Sequence, residues 1–205
     1  MIAIVDYGMG NIRSVMNALA FLGAESELTA NPARILDAER VVLPGVGAFN
    51  AAMQRLRQLE LVPVLREAVL ERCIPLLGVC LGMQLLAEAG EENGETEGVG
   101  LIPGRVRHIH HKAPGRKVPH IGFNSLAFRR QSPLFAGLSE RGDFYFVHSF
   151  CLDCPPEYVT SVAEYEGAEL TATVERGLVF GVQFHPEKSQ GNGLRLLRNF
   201  LDVPA

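Results

Sequence analysis

The sequence has no excess of positive charge and no cluster of basic residues. Its 19 Lys and Arg are outnumbered by 23 Asp and Glu, which gives a formal net charge of -4. Because the basic residues occur singly or in pairs, the electrostatic signature of a surface for nucleic acid or anionic membrane is missing. We therefore expect no nucleic acid and no membrane among its partners, and a small neutral or zwitterionic substrate.

Long hydrophobic runs are also missing. The longest apolar stretch, residues 74–87, is interrupted by Pro and Gly, and it is shorter than the roughly 18 residues that a membrane span needs. Residues 1–6 carry no basic region and only four apolar residues before an acid, which is unlike a signal peptide. We expect a soluble, cytoplasmic protein.

Cysteine is scarce, and the histidine cluster is incomplete as a metal site. Four cysteines are too few to suggest a disulfide framework in a chain of this size. Cys151 and Cys154 form a C-x-x-C pair without a second pair or a suitably spaced histidine, which favours a plain loop pair. His108 and His110 are predicted to share a strand face next to His111, but no carboxylate or thiol is close in sequence. We expect no metal.

The glycine-rich loop after the first predicted strand does not match a dinucleotide site. Gly8 and Gly10 fit the start of G-x-G-x-x-G, but Arg13 occupies the position of the third glycine. No acidic residue ends a second strand to bind a ribose. The sequence therefore predicts no dinucleotide, and we expect no cofactor.

The hydrophobic pattern predicts one α/β domain over residues 1–205. With 47% hydrophobic residues, the chain is long enough for one core and short for two domains. Strands are predicted over residues 2–5, 41–43, 74–77 and 179–184, and helices over 12–21, from 32, through 53–69 with a break near Pro63, and over 194–201. From Leu101 the pattern becomes β-rich, with its clearest strands at Val106–Ile109 and Phe144–Phe150, and residues 90–98 are expected to form a solvated loop.

Cys80 is placed on a sharp turn between an apolar strand and a helix. Gly78 and Gly82 on either side remove side chains that would clash in such a turn, as in hydrolases whose G-x-S-x-G turn presents a serine. The amides at a helix N-terminus favour a thiolate there. Since free cysteine is also a common core residue, this motif alone leaves both interpretations open.

A second group of residues favours the interpretation of Cys80 as a nucleophile. A buried-type strand ends in His185 and Glu187, and Pro186 between them is expected to project both side chains to one side. A thiol, an imidazole and an orienting carboxylate are the parts of a catalytic triad. The two glycines that flank Val46 could turn the amides of that loop toward a neighbouring strand end, as an oxyanion site requires.

These residues together resemble the class I glutamine amidotransferases. Within that family the sequence is similar to the glutaminase subunits of imidazole glycerol phosphate synthase. The blocks that carry the resemblance, in chain order, are DYGMGN (6–11), LPGVG (43–47), GVCLGMQ (78–84), PHIG (119–122), YFVHS (145–149) and GVQFHPEKS (181–189). Phe123 and Phe150 depart from it, because they stand where the family usually has Trp and Tyr.

The resemblance implies a fold, a reaction and roles for individual residues. The fold is an open, mostly parallel sheet with helices on both faces, of flavodoxin-like order. The reaction is hydrolysis of the glutamine side-chain amide, with Cys80 as nucleophile, His185 as acid and base, and Glu187 orienting His185. The other implied residues are the oxyanion-hole amides of Val46 and Leu81, and Gly47, Gln84 and Ser149 for the amino-acid end of L-glutamine.

The resemblance also implies a partner. In this family the ammonia passes to a cyclase subunit built as a (β/α)8 barrel, in a heterodimer that makes imidazole glycerol phosphate for histidine. Asn11 and Lys188 match positions that lie toward that partner. An exposed Val46 peptide that must turn to complete the oxyanion hole would explain activation by the partner.

Two alternatives compete with this function. One is another class I enzyme, such as the glutaminase of pyridoxal phosphate synthesis or a γ-glutamyl peptidase, which should lack the PHIG (119–122) and YFVHS (145–149) blocks. The other is a catalytically silent regulatory subunit, which the intact Cys80, His185 and Glu187 disfavour.

Overall fold

The centre of the structure, a computed structural model that describes residues 1–139 and 142–204, is an eight-stranded sheet. Its strands lie in the order β2 (Ser26–Thr29), β1 (Ile2–Val5), β3 (Arg40–Gly45), β4 (Leu76–Cys80), β14 (Val179–Val182), β13 (Ala168–Arg176), β12 (Val159–Tyr165) and β9 (Ala127–Phe128). Neighbours from β2 to β14 pair in parallel, and the pairs from β14 to β9 are antiparallel. The predicted open, mostly parallel sheet is confirmed.

Helices cover both faces of this sheet. They are α1 (Ile12–Phe21), α2 (Pro32–Leu36), α3 (Phe49–Gln58), α4 (Leu61–Leu70), α5 (Leu81–Leu85) and α6 (Gln190–Leu201). Successive residues of β1 point to opposite sides: Ala3 and Val5 belong to the core with α3 and α4, whereas Ile2 and Ile4 belong to the core with α1 and α6. Both faces of the sheet are therefore buried at its centre, which explains why β1, β4 and β14 are continuously apolar.

The second half of the chain is rich in strands, as predicted. Besides the last strands of the large sheet it contains β7 (Arg105–His108), β8 (His120–Ser125), β10 (Asp143–His148) and β11 (Phe150–Asp153). Two short strands precede it, β5 (Ala89–Gly90) and β6 (Thr96–Glu97), at the two ends of the predicted loop over residues 90–98. These strands form a four-stranded sheet, β11-β7-β5-β6, and a pair, β10-β8. Among the described residues, only short 3-10 turns interrupt the strands between α5 and α6.

Two predicted strands are wrong in detail. The strand predicted over Phe144–Phe150 is two strands, because the chain leaves the β10-β8 pair at Ser149 and joins the four-stranded sheet. His108 and His110 do not share a strand face, because β7 ends at His108 and the next three residues form a 3-10 turn. Within residues 1–139 and 142–204, no group of three or more His, Cys, Asp or Glu could hold a metal ion.

The predicted helix boundaries also need correction. The break between α3 and α4 lies at Glu60, whose φ of 54° ends the helical conformation, and not at Pro63. Pro63 is in the first turn of α4, where a missing N–H costs no helical hydrogen bond. At the other end of the chain, α6 begins at Gln190 and not at Leu194. In the described part of the chain, no helix is long and apolar enough to span a membrane.

Close backbone contacts hold the turn between β4 and α5. A Cβ added at Gly82 would lie 1.8 Å from the Leu43 carbonyl oxygen of β3, and one at Gly78 would lie 2.7 Å from the Gly82 oxygen. No side chain fits in these gaps, because backbone atoms border them. The two glycines therefore let β3, β4 and α5 meet at one edge of the sheet.

Gly82→Ala is expected to lower the free energy of unfolding by about 3 kcal/mol, because the new methyl group overlaps the Leu43 carbonyl. Urea unfolding followed by circular dichroism measures the change. Gly191→Ala in α6 is the matched control, since its Cβ meets open space and Ala is the better helix former. Equal stability of the two variants would contradict this account of the turn.

Candidate functional site

The thiol of Cys80 lies at the junction of β4 and α5. Cys80 is the last residue of β4 and the residue immediately before α5, and it adopts φ 55° and ψ -112°. Positive φ is strained for a residue with a side chain, and such strain is characteristic of functional sites. The predicted strand-turn-helix setting of this cysteine is present.

The imidazole and carboxylate come from the end of β14. Register pairs Val182 with Val79, so the chain beyond β14 passes beside Cys80. His185 Nδ1 lies 2.8 Å from Glu187 Oε1, and the Glu187 side chain is only 1% exposed. The residues from Pro186 form a 3-10 turn, and this turn brings the two side chains together.

The surroundings of His185 favour its protonated form. Burial lowers its pKa, but hydrogen bonds and charge attraction from Cys80 and Glu187 outweigh burial and raise the pKa to about 9. The imidazole is therefore cationic at neutral pH. A cationic imidazole beside a thiol stabilises the thiolate, the nucleophilic form of cysteine.

Both groups face one cavity of about 350 Å³. Its lining comprises Val46, Gly47, Cys80, Leu81, Gln84, Glu92, Pro119, Val147, His148, Ser149, Phe150 and His185. This volume suits a small-molecule ligand. The cavity brings together the predicted nucleophile and base, both predicted oxyanion residues and all three predicted substrate residues, and Glu187 supports His185 from behind.

The loop after β3 reaches the cavity because Gly45 pairs with Cys80 in the sheet. The Tyr7 hydroxyl donates a 2.7 Å hydrogen bond to the Pro44 carbonyl just before this loop. Burial, helped by the nearby Cys80, raises the pKa of Tyr7, so the hydroxyl remains a donor. Val46 follows at the mouth of the cavity, 42% exposed.

Gln84 is held by internal hydrogen bonds. Its Nε2 donates to the Phe150 carbonyl and to Gln183 Oε1, each at 2.9 Å. Since an amide nitrogen has two hydrogens, its Oε1 is the atom left for a ligand. Gln183 in turn directs its Nε2 to Cys80 Sγ at 3.9 Å.

Glu92 was not predicted as a site residue. Residues 90–98 were expected to form a solvated loop, but Glu92 turns back into the cavity and supplies the only carboxylate that the described residues contribute to its lining. Its Oε2 accepts a 2.7 Å hydrogen bond from the Phe49 amide at the start of α3. An acid in a Gly-rich loop carries no sequence signal of this placement.

Asn11 and Lys188 lie outside the cavity lining. Asn11 Nδ2 donates a 3.4 Å hydrogen bond to Glu187 Oε1, so its side chain turns toward the buried carboxylate. Lys188 is exposed, with its Nζ 5.7 Å from the centre of the Tyr145 ring. Their place at a partner interface stays a prediction.

The comparisons with known proteins agree with this geometry. Residues 3–203 match the family model "Glutamine amidotransferase class-I". The chain is 49% identical over 203 residues to "Imidazole glycerol phosphate synthase subunit HisH" of Bacillus cereus, covering 99% of this chain and 95% of the relative. It is 50% identical over 200 residues to the protein of the same name from Moorella thermoacetica, covering 97% and 93%.

Solved structures share the fold at lower identity. One titled "Crystal structure of glutamine amidotransferase" superposes with a TM-score of 0.76 at 23% identity, covering 98% of this chain and 97% of that chain. "Structure of PurLQS from Thermotoga maritima" superposes with a TM-score of 0.75 at 19% identity, covering 98% and 97%. With its matched family model and close relatives, the chain belongs to the class I glutamine amidotransferase family.

Proposed function

We propose that this chain is the glutaminase subunit of an imidazole glycerol phosphate synthase and hydrolyses L-glutamine to glutamate and ammonia. The observation that carries the proposal is the single cavity that Cys80 and His185 share, with Glu187 hydrogen-bonded to His185, in a chain whose relatives are named HisH subunits. The reaction belongs to histidine biosynthesis. As a biosynthetic enzyme, the protein is expected to act in the cytoplasm.

The reaction proceeds in two halves. The Cys80 thiolate attacks the side-chain amide carbon of glutamine and forms a carbon–sulfur bond. The His185 imidazolium gives its proton to the departing nitrogen, which leaves as ammonia, and a thioester remains. A water molecule then loses a proton to His185 and attacks the thioester, which releases glutamate and the cysteine. Glu187 keeps His185 oriented in both halves.

The oxyanion of each half needs donors beside the thiol. The backbone amides of Val46 and Leu81 are the proposed donors, because both residues line the cavity together with Cys80. One such donor contributes roughly 3 kcal/mol to the transition state in related acyl transfers. We further propose that the exposed Val46 peptide turns toward the cavity when the partner activates the enzyme.

The amino-acid end of glutamine needs a carboxylate for its ammonium group. Glu92 is the proposed partner, since among residues 1–139 and 142–204 it is the only acid in the lining and a charge-assisted hydrogen bond is the strongest available there. Gly47, Gln84 and Ser149 complete the proposed contacts around the same end of the substrate. The free Oε1 of Gln84 is the atom that would accept from the substrate.

The proposed partner is a cyclase subunit with a (β/α)8 barrel, in a heterodimer that receives the ammonia. Its support is the word "subunit" in the names of the relatives. Asn11, which contacts Glu187, and the exposed Lys188 are the proposed interface residues.

Cys80→Ala is expected to lower glutamine-dependent turnover by at least about 10³-fold with the cyclase partner present, because the nucleophile is removed. Ammonia-dependent turnover should stay within about twofold, since the partner performs that reaction. Steady-state assays with glutamine or ammonium salt measure both. Cys73→Ala, which removes an exposed thiol, is the control. Equal loss of both reactions would refute the proposed role.

Glu92→Gln is expected to raise the KM for glutamine by about tenfold to a hundredfold, because a charge-assisted contact to the substrate ammonium is lost. The Gln side chain still accepts from the Phe49 amide, so stability should hold. Glu95→Gln on the same loop is the control, since its ion pair with Arg105 is exposed. Initial-rate kinetics decide, and an unchanged KM would remove Glu92 from the proposed substrate contacts.

The pH profile of kcat/KM for glutamine should fall above about pH 9, where His185 loses its proton. Glu187 raises the pKa of His185, so Glu187→Gln should move this fall to lower pH. Glu67→Gln, which alters an ion pair with Arg72 outside the cavity, should leave it in place. A fall that stays at the same pH in Glu187→Gln would exclude Glu187 as the partner of the titrating group.

A further inference from the structure

Two buried imidazoles lie beside the cavity without a part in the proposed chemistry. His120 in β8 and His148 in β10 face each other in register, and they are 2% and 6% exposed. His148 also lines the cavity that contains Cys80. Buried polar groups are almost always hydrogen-bonded, so the contacts of these rings indicate what they do.

The hydrogen bonds run in one direction. His148 Nδ1 lies 2.8 Å from the Phe150 carbonyl, and a carbonyl only accepts, so this nitrogen donates. Burial lowers the pKa of His148 to about 3, which makes the ring neutral and leaves Nε2 as an acceptor. His120 Nδ1, 3.0 Å away, must therefore donate to it.

Asn124 donates to the second ring nitrogen of His120. Burial lowers the pKa of His120 to about 4, so its ring is neutral too and its Nε2 accepts. Asn124 Nδ2 supplies one hydrogen to His120 Nε2 at 3.3 Å and one to the Glu164 carbonyl at 2.6 Å. The donor and the acceptor of every hydrogen bond between Asn124 and the Phe150 carbonyl are thereby assigned.

This series of hydrogen bonds ends at the Phe150 carbonyl, which also contacts Gln84, a proposed substrate residue. The Phe150 carbonyl accepts from His148 and also from Gln84 Nε2 at 2.9 Å. The segment that carries this carbonyl crosses from the β10-β8 pair to the four-stranded sheet at Ser149. The hydrogen bond from His148 therefore orients the carbonyl against which Gln84 is held.

We propose that His120 and His148 are positioning residues for glutamine binding: their one-directional hydrogen-bond chain orients the Phe150 carbonyl and, through it, the Gln84 side chain. This inference rests on the proposed glutaminase function and on the substrate contact assigned to Gln84. Neither imidazole exchanges a proton with the substrate. Loss of these hydrogen bonds therefore weakens glutamine binding and leaves the rate of bond cleavage unchanged.

His120→Phe tests this series of hydrogen bonds. A Phe ring keeps the packing on Phe146 and Tyr165 but removes the hydrogen bonds to His148 and Asn124. The KM for glutamine should rise about tenfold while kcat stays within about twofold, as expected when one oriented hydrogen bond is lost. His120→Asn keeps a donor at the Nδ1 position and should restore most of the wild-type KM. The assays use the full chain with its cyclase partner.

Two controls separate positioning from a general loss of stability. Tyr165→Phe keeps the ring beside His120 and removes only the hydrogen bond from its hydroxyl to the Lys117 carbonyl, so its KM should not change. Phe200→Leu loosens the core on the face that α6 covers. If Phe200→Leu raises KM as much as His120→Phe at the same loss of thermal stability, the imidazole pair is merely structural and the proposal fails.

A spectroscopic measurement is independent of activity. Long-range ¹H–¹⁵N spectra at pH 7 should show His120 and His148 as neutral Nδ1–H tautomers, and any other form overturns the assigned direction. An unchanged KM in His120→Phe overturns the positioning role while leaving the glutaminase intact. Wild-type protein that fails to hydrolyse glutamine with its partner overturns the proposed function and, with it, this inference.

Discussion

The site depends on one close backbone contact. Because Gly82 lies directly against the Leu43 carbonyl, α5 begins immediately after β4, and Cys80 must adopt a positive φ between them. That conformation raises the thiol from the sheet edge toward the end of β14, where His185 follows. The strain is local, and the buried parallel strands on either side stabilise it.

Charged and neutral groups lie side by side at the cavity. Glu187 lies behind His185 and stabilises its cationic form next to Cys80, so opposite charges meet where the amide bond would be cleaved. Glu92 lies at the cavity as a separate negative group, held by the start of α3. His148 lines the same cavity as a neutral ring, because burial lowers its pKa. A zwitterionic substrate with one reactive end suits such an arrangement.

The sequence predicts local structure correctly where a pattern of residues allows only one backbone geometry. Glycines on both sides of Cys80 predicted the turn, and His185 with Glu187 predicted a pair at a strand end, because short-range geometry decides both. Predicted boundaries of helices and strands were less accurate where the same pattern is compatible with two local structures. The helix break near Pro63 was expected because proline disrupts helices, yet proline is tolerated in a first turn, and the chain instead breaks at Glu60. The strand through Ser149 showed uninterrupted alternation, and nothing in that pattern marks a change of sheet.

The sequence by itself determined the alternation of strands and helices, the turn at Cys80 and the pairing of His185 with Glu187, since each follows from periodicity or from neighbours within a few positions. Only the tertiary structure decided that Glu92 returns to the cavity and that His120 pairs with His148, because these contacts join segments far apart in the chain. It also decided how Gln84 is held, through a carbonyl 66 residues away. Such contacts depend on how sheets pack together, and a side chain's polarity does not specify its distant partner.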